Sequence, residues 1–331
     1  MIRNLGSLLS LLSLLSLLSL ISLISLVTAL GAAQAESYPT GPINLVIPLA
    51  AGDATDTAAR AITEELSREL KVAIVPVNRP GAAGALGTDI VVKAPKDGHT
   101  ILLTNNAALV FRTVLDPKTA TYDPFRDLTP LALAMRSPSI LVANAEQPYH
   151  NFKELIDYAK KSPVSIGTAG VGSVGHFCIS TISAMTKADL TMVPYTGATP
   201  ALTAVRGNHI GAVILALGTM TGHLKSGAVR GILISSKASD FPEIPTPADL
   251  GYSEPLFGIW TAFFAPAGVP PEVTNVLVPA LERAITAPSV AARLKPLGIV
   301  PDYAPPAKLV AEMRDEHRRV SELARQAGLV K

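Results

Sequence analysis

Two segments of this chain carry residues whose types and spacing suit the capture of an anion. In the first, Ile43 to Arg60 (INLVIPLAAGDATDTAAR), an apolar run of strand length through Ile43, Leu45, Val46 and Ile47 ends at Pro48. Leu49 and a loop of small residues follow, Ala50, Ala51, Gly52, Asp53 and Ala54, and then a helical pattern through Ala58, Ala59, Ile62, Leu66 and Leu70. Thr55 or Asp56 is the expected N-cap. Small side chains let a ligand approach the main chain, and the unpaired N–H groups of a first helical turn point at it. A carboxylate or phosphate can be held there without Arg or Lys.

The second segment, Val164 to Ile179 (VSIGTAGVGSVGHFCI), repeats the plan: a strand runs into Thr168, Ala169 and Gly170, and a helix begins around Ser173 to Gly175. Gly170, Gly172 and Gly175 spell G-x-G-x-x-G with Asp189 nineteen residues beyond Gly170, which alone is the dinucleotide fingerprint. It is set aside because Asp189 precedes the next strand instead of ending it, and because an exported chain has little access to NAD. The helix N-terminus facing an anion survives that rejection, with Ser173 as a cap or a ligand contact and His176 as a donor in the first turn. Three further turns carry polar groups. Thr104 and Asn105 end a strand over Ile101–Leu103, where they suit either hydrogen bonding to a polar ligand or a helix cap. Tyr195 and Thr196 offer a hydroxyl and a backbone N–H, or form a structural turn. Arg79, in Asn78–Gly84, reads as a scaffold charge.

Catalytic patterns are sparse. The chain has no H-E-x-x-H, and its six histidines show no paired-ligand spacing, so no metal or cofactor is expected. A G-x-S-x-G elbow is absent because Gly172 directly precedes Ser173. Ser173 and His176 lie three apart on one helical turn, which leaves an exported hydrolase acting on a carboxylate or ester as the alternative to a binding protein. No third group is evident to orient the imidazole.

The chain has 331 residues, and Arg3 is the only charged side chain among the first 35. An LLS-type repeat to about Leu30 and Ala33-Gln34-Ala35 predict a removable export signal over residues 1–35, cleaved near Ala35, which places the mature chain in the periplasm. The apolar stretch is long enough to span a bilayer, but serine at every third position dilutes each face. Roughly 295 residues remain, enough for two lobes. Their 27 Lys+Arg nearly balance 26 Asp+Glu. With no basic run or aromatic-interleaved stripe, nucleic acid is not an expected partner. Cys178 is the only cysteine and, between Phe177 and Ile179, reads as a buried thiol.

Positioning these turns requires alternating strands and helices. Strands are expected at 43–47, 73–77, 100–103, 140–143, 164–168, 191–193, 210–215 and 231–234. Helices are expected at 57–70, 85–93, 152–160, 174–185, 272–285, 289–294 and 308–328. This order predicts an α/β fold with mainly parallel sheets of βαβ units. The chain is read as leaving lobe one (36–137 and 258–331) to build lobe two (138–257), with extended crossings near Arg136–Ala143 and Phe257–Phe264.

Tyr38-Pro39, PLAAGDATD, VNRPGAAGALG, APKDGHTILL, YDPFRDLTPLAL, the GxGSxxH of Gly170 to His176, VPYTGATPAL and FFAPAGVPPEV together resemble the receptors of tripartite tricarboxylate transporters, the Bug-type solute-binding proteins. The likeness runs through essentially the whole mature chain. It implies a type II periplasmic-binding-protein fold with two lobes joined by two crossover segments. It further implies a small mono- or dicarboxylate bound in the interlobe cleft, a membrane permease as partner, a monomeric receptor and no enzymatic activity. Leu49 to Thr55 and Gly170 to His176 resemble the family's two ligand loops. Two departures stand out: Asp53 replaces a usual glycine, and Leu215 stands where an acid often lies. The missing acid at Leu215 weakens the case for a ligand carrying an ammonium group, and Asp53 is open to three readings: it points to solvent or caps the helix with Thr55, it accepts a hydrogen bond from a ligand hydroxyl or protonated carboxyl, or it repels the ligand.

Overall fold

The computed structural model describes residues 38–118, 121–326 and 328–330; the predicted leader and its cleavage point lie outside the described residues. The fold below is that of residues 41–331, which form one unit. The chain begins β1 (Ile43–Ile47), α1 (Ala54–Leu70), β2 (Ile74–Asn78), α2 (Ala85–Val92) and β3 (Thr100–Asn105). A wide π-type turn at Ala107–Phe111 leads through the short α3 (Arg112–Leu115) to the long β4 (Leu128–Ser137). Only Pro138 separates β4 from β5 (Ser139–Asn144), the first strand of a second sheet. There follow α4 (Phe152–Ala159), β6 (Val164–Thr168), α5 (Val174–Thr186), β7 (Leu190–Pro194), α6 (Ala198–Arg206), β8 (Ala212–Ala216), α7 (Leu217–Lys225) and β9 (Val229–Ile234). The chain then returns to the first sheet as β10 (Ile259–Pro266), and closes with α8 (Pro271–Thr286), α9 (Pro288–Leu294), β11 (Val300–Ala304) and α10 (Pro306–Gln326).

The first sheet has the order β11-β4-β10-β3-β1-β2, the second β7-β6-β8-β5-β9. The expectation of mainly parallel sheets needs correction. Pairings β1–β2, β1–β3, β6–β7 and β6–β8 are parallel, whereas β10–β3, β10–β4, β11–β4, β5–β8 and β5–β9 are antiparallel. The βαβ units give the parallel half. The strands that carry the chain between sheets, β4 with β5 and then β10, enter against their neighbours and make both sheets mixed.

Local sequence explains why the site-bearing elements form. Along α1, Ala58, Ile62 and Leu66 recur at helical spacing and are fully buried, while Arg60, Glu64 and Arg68 face solvent. Burying Ile62 and Leu66 contributes about 1.5–3 kcal/mol each. Lys71 ends the helix in the left-handed region (φ 56). β4 lies between β11 and β10 with Leu131 to Met135 wholly buried. Where the sheets meet, Phe111, Phe177 and Phe257 pack edge to face with centroids 5.4–5.5 Å apart, one ring from each of three elements.

Candidate ligand-binding cleft

The first anion turn is built differently from the expectation. Asp53, not Thr55 or Asp56, is the N-cap of α1: its backbone is extended (φ −64, ψ 157) and its Oδ1 accepts from the Thr55 N–H at 2.7 Å. The other donors nearby are also engaged. Gly52 N–H donates to Asp56 Oδ2 (3.0 Å), Asp53 N–H to Ala50 O (3.1 Å) and Ala54 N–H to Thr219 Oγ1 (3.2 Å). Asp56 in turn receives Arg60 and Asn78, and against the pull of its burial these bonds hold its carboxyl below the ordinary range. The N–H groups of Gly52 to Thr55 are therefore spent on the loop's own acids, on the Ala50 carbonyl and on Thr219 of α7.

The second anion turn keeps its donors. Ser173 caps α5, accepting from the His176 N–H at 3.2 Å, which leaves the Ser173 hydroxyl hydrogen free to donate. The N–H groups of Val174 and Gly175 have no partner among the described residues, as the first turn of a helix requires. At α6 the N-cap is Gly197 (φ 155), which brings no side chain, and Ala198 opens the helix. Gly170 and Gly172 take left-handed φ values of 127° and 80°; at Gly172 a Cβ would also stand 3.1 Å from Arg112 Cα.

These ends converge on a small cavity between the sheets. It is lined by Leu49, Asp53, Ala83, Asn105, Ala107, Ser139, Ala169, Ser173, Val174, Gly175, Ala198, Ile214, Leu215, Ala216 and Ile259. Leu49, Asp53, Asn105, Ala169, Ser173 and Leu215 are thus brought together as the sequence reading grouped them. The others are not on the wall. Ala50, Ala51, Gly52 and Ala54 form the rim: Thr199 Oγ1 donates to Ala51 O at 2.9 Å, and a Cβ on Gly197 would lie 3.2 Å from that of Ala50. Thr55 is wholly buried, its hydroxyl 3.5 Å from that of Thr261. Thr104 is buried behind Asn105, its hydroxyl without a partner among the described residues. Gly170, Gly172 and His176 shape the loop behind Ser173. Tyr195 is half-buried and Thr196 exposed, so the helix start at Ala198 takes the place expected of them. Ser139, Ile214 and Ile259 were not anticipated as lining because each reads as plain strand; only the crossover topology turns them inward.

The polar wall is short. Asn105 Oδ1 accepts from the Ala107 N–H at 3.1 Å, so its amide NH₂ is the free end; Ser139 donates to Phe257 O at 2.6 Å. Asp53 is the one charged lining side chain, 7% exposed. Burial pushes its carboxyl above the ordinary value and Asp56 adds to the rise, while the Thr55 N–H and hydroxyl act the other way. Of the two roles in the first reading, Asp53 takes the cap with Thr55 and does not point to solvent; it lines the cavity. About 30 Å³ remains for water centres, room for about two waters. The rim contacts hold the cleft closed, so the sheets must part to admit a ligand.

The Ser173/His176 pair does not form a nucleophile and base. Ser173 Oγ meets the His176 backbone, and His176 Nδ1 accepts from the Gly172 N–H at 3.2 Å, so that ring nitrogen is not aimed at the hydroxyl. Burial also lowers the His176 pKa, keeping the ring neutral. Among the described residues no group of three His, Cys, Asp or Glu side chains could hold a metal. A larger groove of about 510 Å³ meets the crossover strands through Arg136, Phe257, Trp260, Glu316 and Arg319. Its arginines are already paired, Arg136 with Asp302 and Glu312 and Arg319 with Asp315, so it has less to offer an anion than the helix ends.

Two mixed sheets joined by crossover strands, with helix N-termini closing on a cavity between them, define a periplasmic solute-binding protein of the type II fold. The solved structure of the periplasmic binding protein BugD superposes with a TM-score of 0.84 at 31% identity, over 89% of this chain and all of that one. MatC from Rhodopseudomonas palustris with bound malate gives 0.81 at 30% identity, over 86% and 99%. Protein BugT of Bordetella pertussis is 30% identical over 298 residues, 89% of this chain and 91% of that protein. Residues 58–329 match the model of the tripartite tricarboxylate transporter family receptor, and the chain belongs to that family, whose members are binding receptors and not enzymes.

Proposed function

We propose that this protein is exported to the periplasm, captures a small organic carboxylate in the cavity between its sheets, and delivers it to a membrane permease of the tripartite tricarboxylate type. The observation that carries the reading is the convergence of unpaired first-turn N–H groups at Val174, Gly175 and Ala198, with the Ser173 hydroxyl, on one buried space. Such donors complement a carboxylate without a cation and strengthen as water is excluded. Malate in the MatC structure supports the ligand class.

Lobe one comprises 36–137 and 258–331, lobe two 138–257, and the lobes close as rigid bodies about Pro138 and the segment before β10. Thermal-shift screening against mono- and dicarboxylates is the test. Ligand at a hundred times its Kd adds about 2.7 kcal/mol, a readily visible shift. A shift with sugars or cations and none with any carboxylate would overturn the proposal.

A further inference from the structure

The crossings separate two spaces. Ser139 and Ile259 line the cleft in front, while Arg136, Pro138, Phe257 and again Ile259 line the groove of about 510 Å³ behind. A smaller groove of about 250 Å³ runs beside the latter and shares Pro138, Lys237 and Val300 with it. Each back groove has one wall from either part of the chain: the loop 236–240 after β9 on one side, and Lys295 or Val300 to Asp302 on the other. The pivot between front and back is pinned. Leu217 N–H, at the start of α7, donates to Pro138 O at 2.8 Å, Thr221 Oγ1 to Leu297 O at 2.7 Å and Ser137 Oγ to Gly298 O at 3.2 Å. With the chain held there, parting the sheets in front swings the 236–240 loop toward β11 behind.

Val300, at the start of β11, stands between the two back grooves and leaves 48% of its surface in water while the cleft is closed. Its apolar companions are Pro138, Pro255 and Pro301 in the larger groove and Ala238 in the smaller. We infer, resting on the lobe closure of the receptor reading above, that Val300 sets the affinity of the cleft from behind: it is a positioning residue whose apolar surface the 236–240 loop covers only in the open form. Covering it favours opening. The rim bonds from Thr199 Oγ1 to Ala51 O and from Ala54 N–H to Thr219 Oγ1 favour closing. The balance between them fixes the fraction of empty receptor that is already closed. The apparent Kd of a ligand is its intrinsic Kd divided by that fraction, so a change behind the crossings alters affinity without touching the ligand.

Two substitutions test this on the full protein purified from the periplasm. Val300→Trp is too bulky for the grooves to shut upon, and Val300→Lys brings a second ammonium toward Lys237 as they shut. Small-angle scattering without ligand is the first readout, and both variants should show a smaller radius of gyration than wild type. Titration calorimetry with succinate and malate is the second: each acid that binds should bind about 3- to 10-fold tighter, by the same factor for both acids. From 0.1 to 1 M salt the Debye length falls from about 10 to about 3 Å, so the gain in Val300→Lys should fade and that in Val300→Trp persist. Local damage to β11 would produce neither the shared factor nor the contrast in salt. An unchanged or larger radius in Val300→Trp, weaker binding in that variant, or a gain confined to one acid that both proteins bind would overturn the inference and leave the receptor reading intact. A smaller radius with no binding of any carboxylate would sink the receptor reading and leave the balance about the crossings standing.

Discussion

Glu316 offers the sharpest test of how this fold handles charge. It lies on α10 with 6% of its surface exposed, accepting from Trp260 Nε1 on β10 at 2.6 Å and from Asn106 Nδ2 at 3.2 Å. Asn106 also donates to Gly258 O, so the carboxyl sits on the segment by which the chain returns to the first sheet. Burial pushes its pKa from 4.5 up to about 7, although both hydrogen bonds and the positive charges of Arg319 and Arg136 favour the ionised form. Between those values the folded protein keeps a proton that the unfolded chain has released. Stability is therefore full below about pH 4.5 and falls as pH rises through 7. A shift of about 2.5 units at 1.36 kcal/mol each corresponds to about 3 kcal/mol across the window. Urea unfolding from pH 4.5 to 8 reads it, and the single tryptophan, Trp260, is bonded to the group in question and reports the transition by its fluorescence. His176, His223 and His317 also titrate with lowered pKa values, so the quantity to follow is the difference between wild type and Glu316→Gln. The variant should gain about 3 kcal/mol on wild type between pH 4.5 and 8. A difference that stays flat within about 0.5 kcal/mol would refute the argument and mean that Arg136, Arg319 and the two donors outweigh burial.

Two further substitutions probe the closed cleft. Arg112, buried after the π-type turn, donates to Val171 O in the second anion turn and pairs with Asp116 at 2.9 Å; Arg112→Leu should weaken closure by about 2 kcal/mol, seen as a larger radius of gyration in small-angle scattering. An unchanged radius would show that the rim bonds alone hold the cleft. A Cβ on Gly175 would stand 2.8 Å from Ile214 O, so Gly175→Ala must lift the start of α5 off β8. It should cost about 1–3 kcal/mol in thermal unfolding and at least 10-fold in carboxylate affinity by calorimetry.

The two anion turns were legible because each joins a short apolar strand to a helix across small residues, a pattern that local chemistry dictates. The β6-to-α5 turn matched down to its cap, Ser173. The strands β4 and β11 were not legible, and β10 was expected only as an extended crossing near Phe257–Phe264. Leu131 to Met135 reads LALAM, residues that favour helix, and becomes strand only because β10 and β11 pair on either side. α6 and α7 were missed for a related reason: ATPALTAVR and LGTMTGHLK carry Thr, Pro and Gly, and their ends are fixed by the sheet beneath them. At Asp53 the sequence offered three possible caps within four residues, and which of them turned its backbone extended was a tertiary outcome. The place of Asp53 in the cavity wall followed from that outcome and could not be read before it.

The lone cysteine has a use beyond packing. Cys178 is wholly buried on α5, with Sγ 3.8 Å from Ser139 Oγ and 3.9 Å from Phe257 O, so it touches both crossings at once, and burial raises its pKa to about 11. In the closed protein it is both shielded and un-ionised, and a thiol reagent meets an inert surface. Ser139, Cys178 and Phe257 all lie within 138–257, so rigid movement of one lobe against the other leaves the thiol covered. The rate at which this thiol is modified therefore reports loosening of the second lobe itself, readable in the native chain without an added label. Engineered cysteines at the rim can carry fluorophores with no need to remove the one already present.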